Sequence, residues 1–246
     1  MGKNLINTNI QSLRLLKEAG VTDNLNEFPI NRFNIKESFK NEDIENNSQT
    51  MNLKTEQQLL KIQDLKELQR FINNFKGCAL YKEANNVVFS DGNPNSKIML
   101  IGEAPGHDED IEGKPFVGRS GKLLDKMLNA IDLDREKVYI ANIIPWRPPA
   151  NRKPTENEIE ICLPLIHKHI ELINPKVLLL LGSTSSYALL EDKPPITTIR
   201  GRWFTINING ENMQAMPTCR PAFILRQQKQ KKYEWEELQN KKERTT

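Results

Sequence analysis

The segment KIMLIGEAPGHDED, residues 97–110, puts a carboxylate directly after an apolar stretch. The first five residues have the character of a strand buried in a parallel sheet, where a charged side chain is not expected. Glu103 follows them, and Pro105 and Gly106 make the next turn rigid. A carboxylate that a rigid turn aims from the mouth of a sheet is a candidate for chemistry. We interpret the acids at 108–110 as the solvated start of a helix, and the alternative is that they tune the site of that chemistry.

Strand and helix patterns alternate on both sides of Glu103. Apolar strands are predicted at 97–103, 137–144, 176–182 and near 213–218, with a short strand at 85–90. Helices are predicted at 120–131, which Ser120 would cap, and at 155–173, 183–191 and 222–242. The alternation predicts an α/β fold, a three-layer α/β/α sandwich with a central, mostly parallel four-stranded sheet.

The domain that holds this sheet is predicted to begin at residue 55. A helical apolar stripe runs through residues 55–74. Before it, residues 31–54 are rich in Asn, Lys and Glu and lack periodicity, and residues 8–20 have a helical pattern. We therefore predict an N-terminal helix and flexible linker over residues 1–54 and one α/β domain over residues 55–246.

Four predicted strand ends carry polar groups or tight turns: GEAPG, Asn142, LGSTSS and PTCRPAFILR. Ligands of open α/β sheets bind beyond the carboxyl ends of the strands, so these ends predict one site. The glycine-flanked Phe116 in GKPFVGRSG is either a local plug or a stacking platform for a flat ligand. Asn142 either caps local backbone or reads an amide-like edge.

Composition narrows the classes of protein. The three cysteines are scattered and no apolar run is long enough to cross a membrane. The start of the chain lacks the apolar core of a secretory signal. Together these features predict a cytoplasmic protein.

The net charge is +3, and acidic residues 103–112 lie apart from the basic segments 135–155 and 220–246. This distribution fits either a reaction centre within a phosphate-binding surface or ordinary surface variation. Neither a dinucleotide- or phosphate-binding glycine motif nor a Gly-x-Ser-x-Gly elbow is present.

Several long motifs carry a family resemblance: GEAPGHDED, GKPFVGRSGKLLDKML, VYIANIIPWRPPANRKPTENEIEICLPLI, LLLLGS, IRGRW and PTCRPAFILR. In order and spacing they resemble family 4 uracil-DNA glycosylases, and the WRPPANR form resembles the proteobacterial branch. The resemblance implies a DNA repair enzyme of base excision repair. Such an enzyme flips uracil out of DNA and hydrolyses its N-glycosidic bond, leaving an abasic site.

The resemblance also implies roles for residues. Glu103 matches the carboxylate that positions water and faces the sugar, and Ala104 lies in the same pocket-lining loop. Phe116 matches the aromatic residue that stacks on uracil, and Asn142 matches the amide that reads its edge. Asn151 matches a second polar residue of the site.

Contacts to the DNA strand are implied as well. Leu225 and Arg226 match the loop that fills the gap left by the flipped nucleotide, and Arg147 and Arg152 are expected to bind DNA. Uracil-containing DNA is the expected partner. We expect a monomer without a membrane partner.

The sequence departs from the family at its metal ligands. The family carries four cysteines that hold a [4Fe–4S] cluster, and Cys78 and Cys162 match two of them. Phe75 and Trp146 stand at the other two positions. Two thiolates do not suffice for a four-iron cluster, so we predict no cluster, no other metal and apolar packing at these positions.

A second departure lies in the last motif, where Arg220 stands at the position of a histidine. That histidine donates a hydrogen bond to uracil O2 as negative charge develops, which makes Arg220 a catalytic candidate with Glu103 and Asn142. Arginine also donates, but its longer side chain could block the pocket or turn to a phosphate. The alternative is therefore a catalytically weakened protein that binds uracil or abasic sites in DNA.

Overall fold

The computed structural model describes residues 55–190 and 194–227. The predicted helix and linker over residues 1–54 and most of the predicted helix 222–242 lie outside the described residues. The boundary at residue 55 therefore stays a prediction. No helix within the described ranges is both long and apolar enough to span a membrane.

A mixed sheet forms the centre of the described chain. Its strands are β1 (Asp91–Gly92), β2 (Ile98–Gly102), β3 (Tyr139–Asn142), β4 (Val177–Leu181), β5 (Phe204–Ile208) and β6 (Glu211–Thr218). Their order is β1-β3-β2-β4-β6-β5. The four central strands are parallel, and β1 and β5 pair antiparallel at the edges. The predicted α/β class is confirmed, with a mixed six-stranded sheet rather than one of four strands.

The differences occur at the two edges of the sheet. The strand predicted at 85–90 is wrong, because the backbone there instead follows the loop after β3, where the Val88 N–H donates to Pro145 O at 2.8 Å. The pairing with β3 at this edge is made by Asp91 and Gly92, just after the predicted segment. The edge strand β5 was not predicted, and two of its five side chains are exposed, so its sequence lacks a continuous apolar run.

Helices and short turns connect the strands. The helices are α1 (Leu65–Asn74), α2 (His107–Glu112), α3 (Arg119–Asn129), α4 (Glu156–Ile173), α5 (Ser183–Leu189), α6 (Ile196–Ile199) and α7 (Pro221–Arg226), and 3₁₀ turns span Ala79–Lys82 and Pro149–Asn151. Residues 55–59 are also helical. The helix predicted over 55–74 is thus interrupted, because Asp64 caps a new helix by accepting from Glu67 N at 2.8 Å.

The two faces of the parallel strands pack against different helices. Met99 and Ile101 belong to one apolar cluster, which includes Leu68 of α1 and Ile166 of α4. Alternate side chains of the same strand belong to a second cluster, which includes Leu124 of α3. Side chains alternate across a strand, so an apolar strand supplies both clusters. The result is the predicted three-layer arrangement.

The start of α4 is fixed by a capping box and an ion pair. Thr155 accepts from Glu158 N at 3.2 Å, and Glu158 accepts from Thr155 N at 2.8 Å. Arg152 donates two hydrogen bonds to the Glu158 carboxylate, at 2.8 and 2.6 Å. The hydrogen bond from Arg152 is the largest cause that lowers the pKa of Glu158 from 4.5 to about 2.

This depressed pKa predicts a pH-dependent contribution to stability. The contribution is complete above about pH 4.5 and is lost as the pH falls through about 2, because the folded state then takes up the proton. Glu158→Gln should lower the free energy of unfolding at pH 7 by ~1 kcal/mol, since solvent screens the exposed Arg152. The difference from wild type should shrink between about pH 4.5 and 2 in urea melts. A difference that stays constant over this range, or an equal effect of Glu156→Gln on the same exposed turn, would contradict the assignment.

Candidate active site

A small cavity of about 70 Å³ lies at the carboxyl ends of the parallel strands. Each of the four strands contributes a residue at or just after its end: Glu103 for β2, Asn142 for β3, Leu181 for β4 and Arg220 for β6. Ala104 and Phe116 also line the cavity. A larger cavity of about 500 Å³, between residues 56–60 and α4, contains none of the predicted site residues.

Glu103 is held at both of its carboxylate oxygens. Its side chain is only 9% exposed, and Oε1 accepts a hydrogen bond from Arg220 Nη1 at 2.9 Å in an ion pair. The hydroxyl of Thr184 donates to Oε2. The backbone is fixed as well, because Ile144 N donates to Glu103 O at 3.1 Å. Glu103 is therefore a buried carboxylate of defined orientation.

Asn142 ends β3, where it pairs with Gly102 of β2. Its side chain is buried, and Oδ1 has no hydrogen-bond partner within residues 55–190 and 194–227. Leaving a buried acceptor unsatisfied costs about 1–3 kcal/mol, so this oxygen favours an external N–H donor over local capping. A Cβ at Gly102 would collide with Asn142 Oδ1 and lie 2.7 Å from the Phe116 ring. Glycine is thus required where the two side chains meet.

Phe116 is held in an unusual backbone conformation. Its φ is 56°, which L-residues rarely adopt. The Arg135 guanidinium donates to Phe116 O and, at 3.1 Å, to Pro115 O. Arg135 is itself paired with Asp91 at 2.6 Å and Asp125 at 2.8 Å. Burial opposes its charge, but these carboxylates outweigh that effect and raise the pKa of Arg135.

The prediction that the acids at 108–110 are solvated is wrong for Glu109 and Asp110. Both are buried, at 8% and 1% exposure, whereas Asp108 is exposed. Glu109 accepts from the backbone N–H groups of Gly106 and Gly118, each at 3.1 Å, and so ties together the loops that carry Glu103 and Phe116. Asp110 accepts from Asn85 N and Asn86 N, at 2.9 and 3.2 Å.

The predicted cap of α3 is also wrong, because Gly118 occupies the N-cap position instead of Ser120. Sequence reasoning further missed Arg135 and Thr184 as supports of the site. Their partners are 19 and 81 residues away in the chain, and no local pattern reports such contacts. One local signal could have identified Glu109, because an acid three residues after a helix N-cap such as Gly106 is typical of a capping box.

A groove of about 390 Å³ adjoins the cavity and shares Glu109, Ser120 and Ala222 with it. Three of the residues predicted to bind uracil or DNA line this groove: Asn151, Leu225 and Arg226. His107 and Arg119, which were not predicted, line it too. Asn151 thus lies beside the small cavity rather than in its wall.

The other two arginines predicted to bind DNA are engaged within the protein. Arg147 donates to Asn151 Oδ1 at 2.7 Å and to His107 Nδ1 at 3.1 Å. It therefore holds two residues that line the groove. Arg152 is bound to Glu158 at the start of α4. A contact of either guanidinium with DNA stays a prediction.

The residues at the cluster-ligand positions do not fit an iron–sulfur cluster. The Phe75 and Trp146 rings stack with centroids 6.1 Å apart and planes 19° apart. The Cys78 and Cys162 thiols are buried in the same apolar cluster. The two thiols share a hydrogen bond, which lowers the pKa of Cys78, whereas that bond and burial raise the pKa of Cys162 well above its usual range. Within the described ranges no three His, Cys, Asp or Glu side chains group as metal ligands.

Known proteins match this chain over the region that holds the site. Residues 89–242 match the family described as the uracil DNA glycosylase superfamily. A type-4 uracil-DNA glycosylase of Saccharolobus solfataricus is 44% identical over 153 residues, 60% of this chain and 71% of that protein. One of Archaeoglobus fulgidus is 36% identical over 178 residues, 70% and 89% of the two chains. One of Thermotoga maritima is 40% identical over 153 residues, 61% and 77%.

The chain therefore belongs to the uracil DNA glycosylase superfamily. Its relatives place it, within that superfamily, with the type-4 enzymes, as the sequence motifs predicted. The assignment to a proteobacterial branch stays a prediction.

The contact between Gly121 and Phe116 predicts a destabilising substitution. In a helix interior, Gly→Ala normally stabilises by roughly 0.5–1 kcal/mol. Here a Cβ at Gly121 would overlap the Phe116 carbonyl oxygen, so Gly121→Ala should instead cost more than about 2 kcal/mol in chemical denaturation.

Gly210→Ala is the comparison, because its Cβ would meet nothing within 4 Å although its φ is +92°. It should cost only the backbone strain, about 1–2 kcal/mol. A Gly121→Ala protein as stable as wild type would show that the Phe116 carbonyl does not lie over α3.

Proposed function

We propose that this protein is a uracil-DNA glycosylase that flips uracil out of DNA and hydrolyses its N-glycosidic bond, leaving an abasic site. The observation that carries the proposal is that Glu103, Phe116 and Asn142 line one cavity at the carboxyl ends of the parallel strands. The type-4 relatives support it, since they are named for this activity. They do not favour the alternative of a binding protein without catalysis.

The flipped base is recognised by Phe116 and Asn142. The Phe116 ring provides a flat apolar face on which a pyrimidine stacks. The unpaired Oδ1 of Asn142 accepts from the N–H at the edge of uracil, and its amide nitrogen donates to the adjacent carbonyl oxygen. Ala104 contributes to the wall of the same cavity.

Bond cleavage separates an electron-poor sugar from an electron-rich base. The Glu103 carboxylate faces the sugar, favours its oxocarbenium-like state and holds the attacking water. Arg220 supplies positive charge where uracil departs as an anion, and it donates in place of the histidine of the family. Its ion pair with Glu103 places the guanidinium at this cavity in the free protein.

The adjoining groove is the proposed path of the DNA strand. Leu225 and Arg226 of α7 line it, together with Asn151 of the loop after β3. Leu225 and Arg226 occupy the space that the flipped nucleotide leaves in the stack. Arg147 and Arg152 add contacts to phosphates at the edge of the surface.

We also propose that the enzyme acts as a cytoplasmic monomer without an iron–sulfur cluster. The support for the last point is the Phe75–Trp146 stack, which fills two of the four ligand positions. Iron analysis of the purified protein, on the same sample that is assayed for uracil release, tests this point.

Removing the carboxylate should separate catalysis from binding. Glu103→Ala should lower single-turnover release of uracil from a single-stranded oligonucleotide by about 10²–10³-fold, because it removes the charge that faces the sugar. Affinity for the same DNA should change little. Abasic product is measured by alkaline cleavage, and Glu112→Ala, at an exposed acid of α2, is the matched control. Equal turnover by wild type and Glu103→Ala would show that the carboxylate is misassigned.

The Arg220 substitutions test whether arginine is the working donor. Arg220→Met should lower the rate of uracil release by about 10²–10³-fold, since the donor expected at uracil O2 is then missing. Arg220→His should recover part of this loss, because a shorter donor returns to the same loop. A faster enzyme with histidine than with arginine would identify Arg220 as an impaired donor, and an unchanged Arg220→Met rate would remove it from the mechanism.

A further inference from the structure

We propose that Thr184 is a positioning residue that fixes the reactive carboxylate, with its hydroxyl donating to Glu103 Oε2. The inference rests on the proposed function, since it concerns how Glu103 is oriented for the same reaction. The LGSTSS turn that contains Thr184 has no other role in the mechanism described above.

The sheet brings the two residues together. Strands β2 and β4 are parallel neighbours, and Ile101 pairs with Leu180. The turns that follow these strands therefore emerge side by side at the same edge. Glu103 lies two residues beyond its strand pair, and Thr184 lies four residues beyond, in the first turn of α5.

The turn that carries Thr184 is itself tightly held. Gly182 has a φ of +108°, which lets the chain leave β4 and enter α5 at once. Its N–H donates to Thr218 O of β6 at 2.9 Å. The buried hydroxyls of Ser185 and Ser186 both donate to Gly182 O, at 3.1 and 2.8 Å. Thr184 is therefore presented from a tightly held turn between β4 and α5, which a backbone hydrogen bond also ties to β6.

The two donors to Glu103 differ in their freedom to move. The Arg220 side chain is long and 42% exposed, and the proposed reaction requires it to interact with the departing base. Thr184 is short and anchored in its turn, so its hydrogen bond persists when Arg220 moves. A hydroxyl bonded to a carboxylate is a charge-assisted contact, which is stronger than one between neutral groups.

In this arrangement the two carboxylate oxygens of Glu103 have different roles. With Oε2 held by Thr184, the other oxygen, Oε1, faces Arg220 and becomes the oxygen that serves the water and the sugar once the guanidinium turns to the base. Rotation of the carboxylate is thereby restricted before substrate arrives. Small errors in the position of a reacting group are costly, since a misplacement of about 1 Å can reduce a rate ~10²-fold.

The test compares Thr184→Val with Thr184→Ser in the full chain. Valine keeps the shape of threonine but lacks the hydroxyl, and serine keeps the hydroxyl. Thr184→Val should lower the single-turnover rate of uracil release about 10–100-fold without changing the affinity for DNA, and Thr184→Ser should stay within about 3-fold of wild type. Ser183→Ala, which removes a hydroxyl one residue earlier in the same turn, is the matched control.

A double variant distinguishes positioning from a general structural effect. If Thr184 acts through Glu103, Thr184→Val should have no further effect on the rate in a Glu103→Ala background. An equal loss in both backgrounds, or loss of activity in Thr184→Ser as well, would overturn the inference. Thermal unfolding midpoints are measured for each protein, and Thr184→Ala replaces Thr184→Val if valine prevents folding.

The outcomes also separate this inference from the proposed function. An active wild-type protein whose Thr184→Val variant is equally active would overturn the role of Thr184 alone. A wild-type protein that releases no uracil would overturn both.

Discussion

The site depends on a buried carboxylate that is held from two directions. Glu103 follows β2, its partner Thr184 follows β4, and its partner Arg220 follows β6. The carboxylate thus links the ends of three adjacent parallel strands. A buried charge that loses its partners is strongly destabilised, so the three strand ends and the side chains they carry form one unit. Asn142 joins this unit through the direct pairing of β3 with β2.

The position of Phe116 in the cavity wall depends on a second group of carboxylates. Arg135 holds the backbone of Phe116 in a left-handed conformation, and Asp91 and Asp125 hold Arg135. Glu109 joins the Phe116 loop to the Glu103 loop through two backbone N–H groups. Local strain persists where the surrounding contacts determine it, and here the contact comes from Arg135, which the two carboxylates hold in place. The Phe116 ring, the proposed stacking face, is consequently held by contacts within the protein.

The sequence predicted those parts of the fold that local pattern determines. The central strands are apolar on both faces, and Thr155 with Glu158 matches a capping box. The positions of these strands and of the start of α4 can therefore be predicted from the sequence. The edge strand β5 alternates and was missed, and the buried state of Glu109 and Asp110 depends on N–H donors from other loops. The residues proposed for uracil came from family motifs, whereas Arg135 and Thr184 are identified only by contacts that the folded chain creates.

The stack of Phe75 on Trp146 has a consequence for the conditions under which this protein can stay folded. It joins the end of α1 to the loop that runs from Asn142 toward Asn151, through contact between two aromatic rings. Such a contact forms between two side chains and requires no metal ion. On the proposal that the protein holds no iron–sulfur cluster, the order of that loop is expected not to depend on the supply of iron.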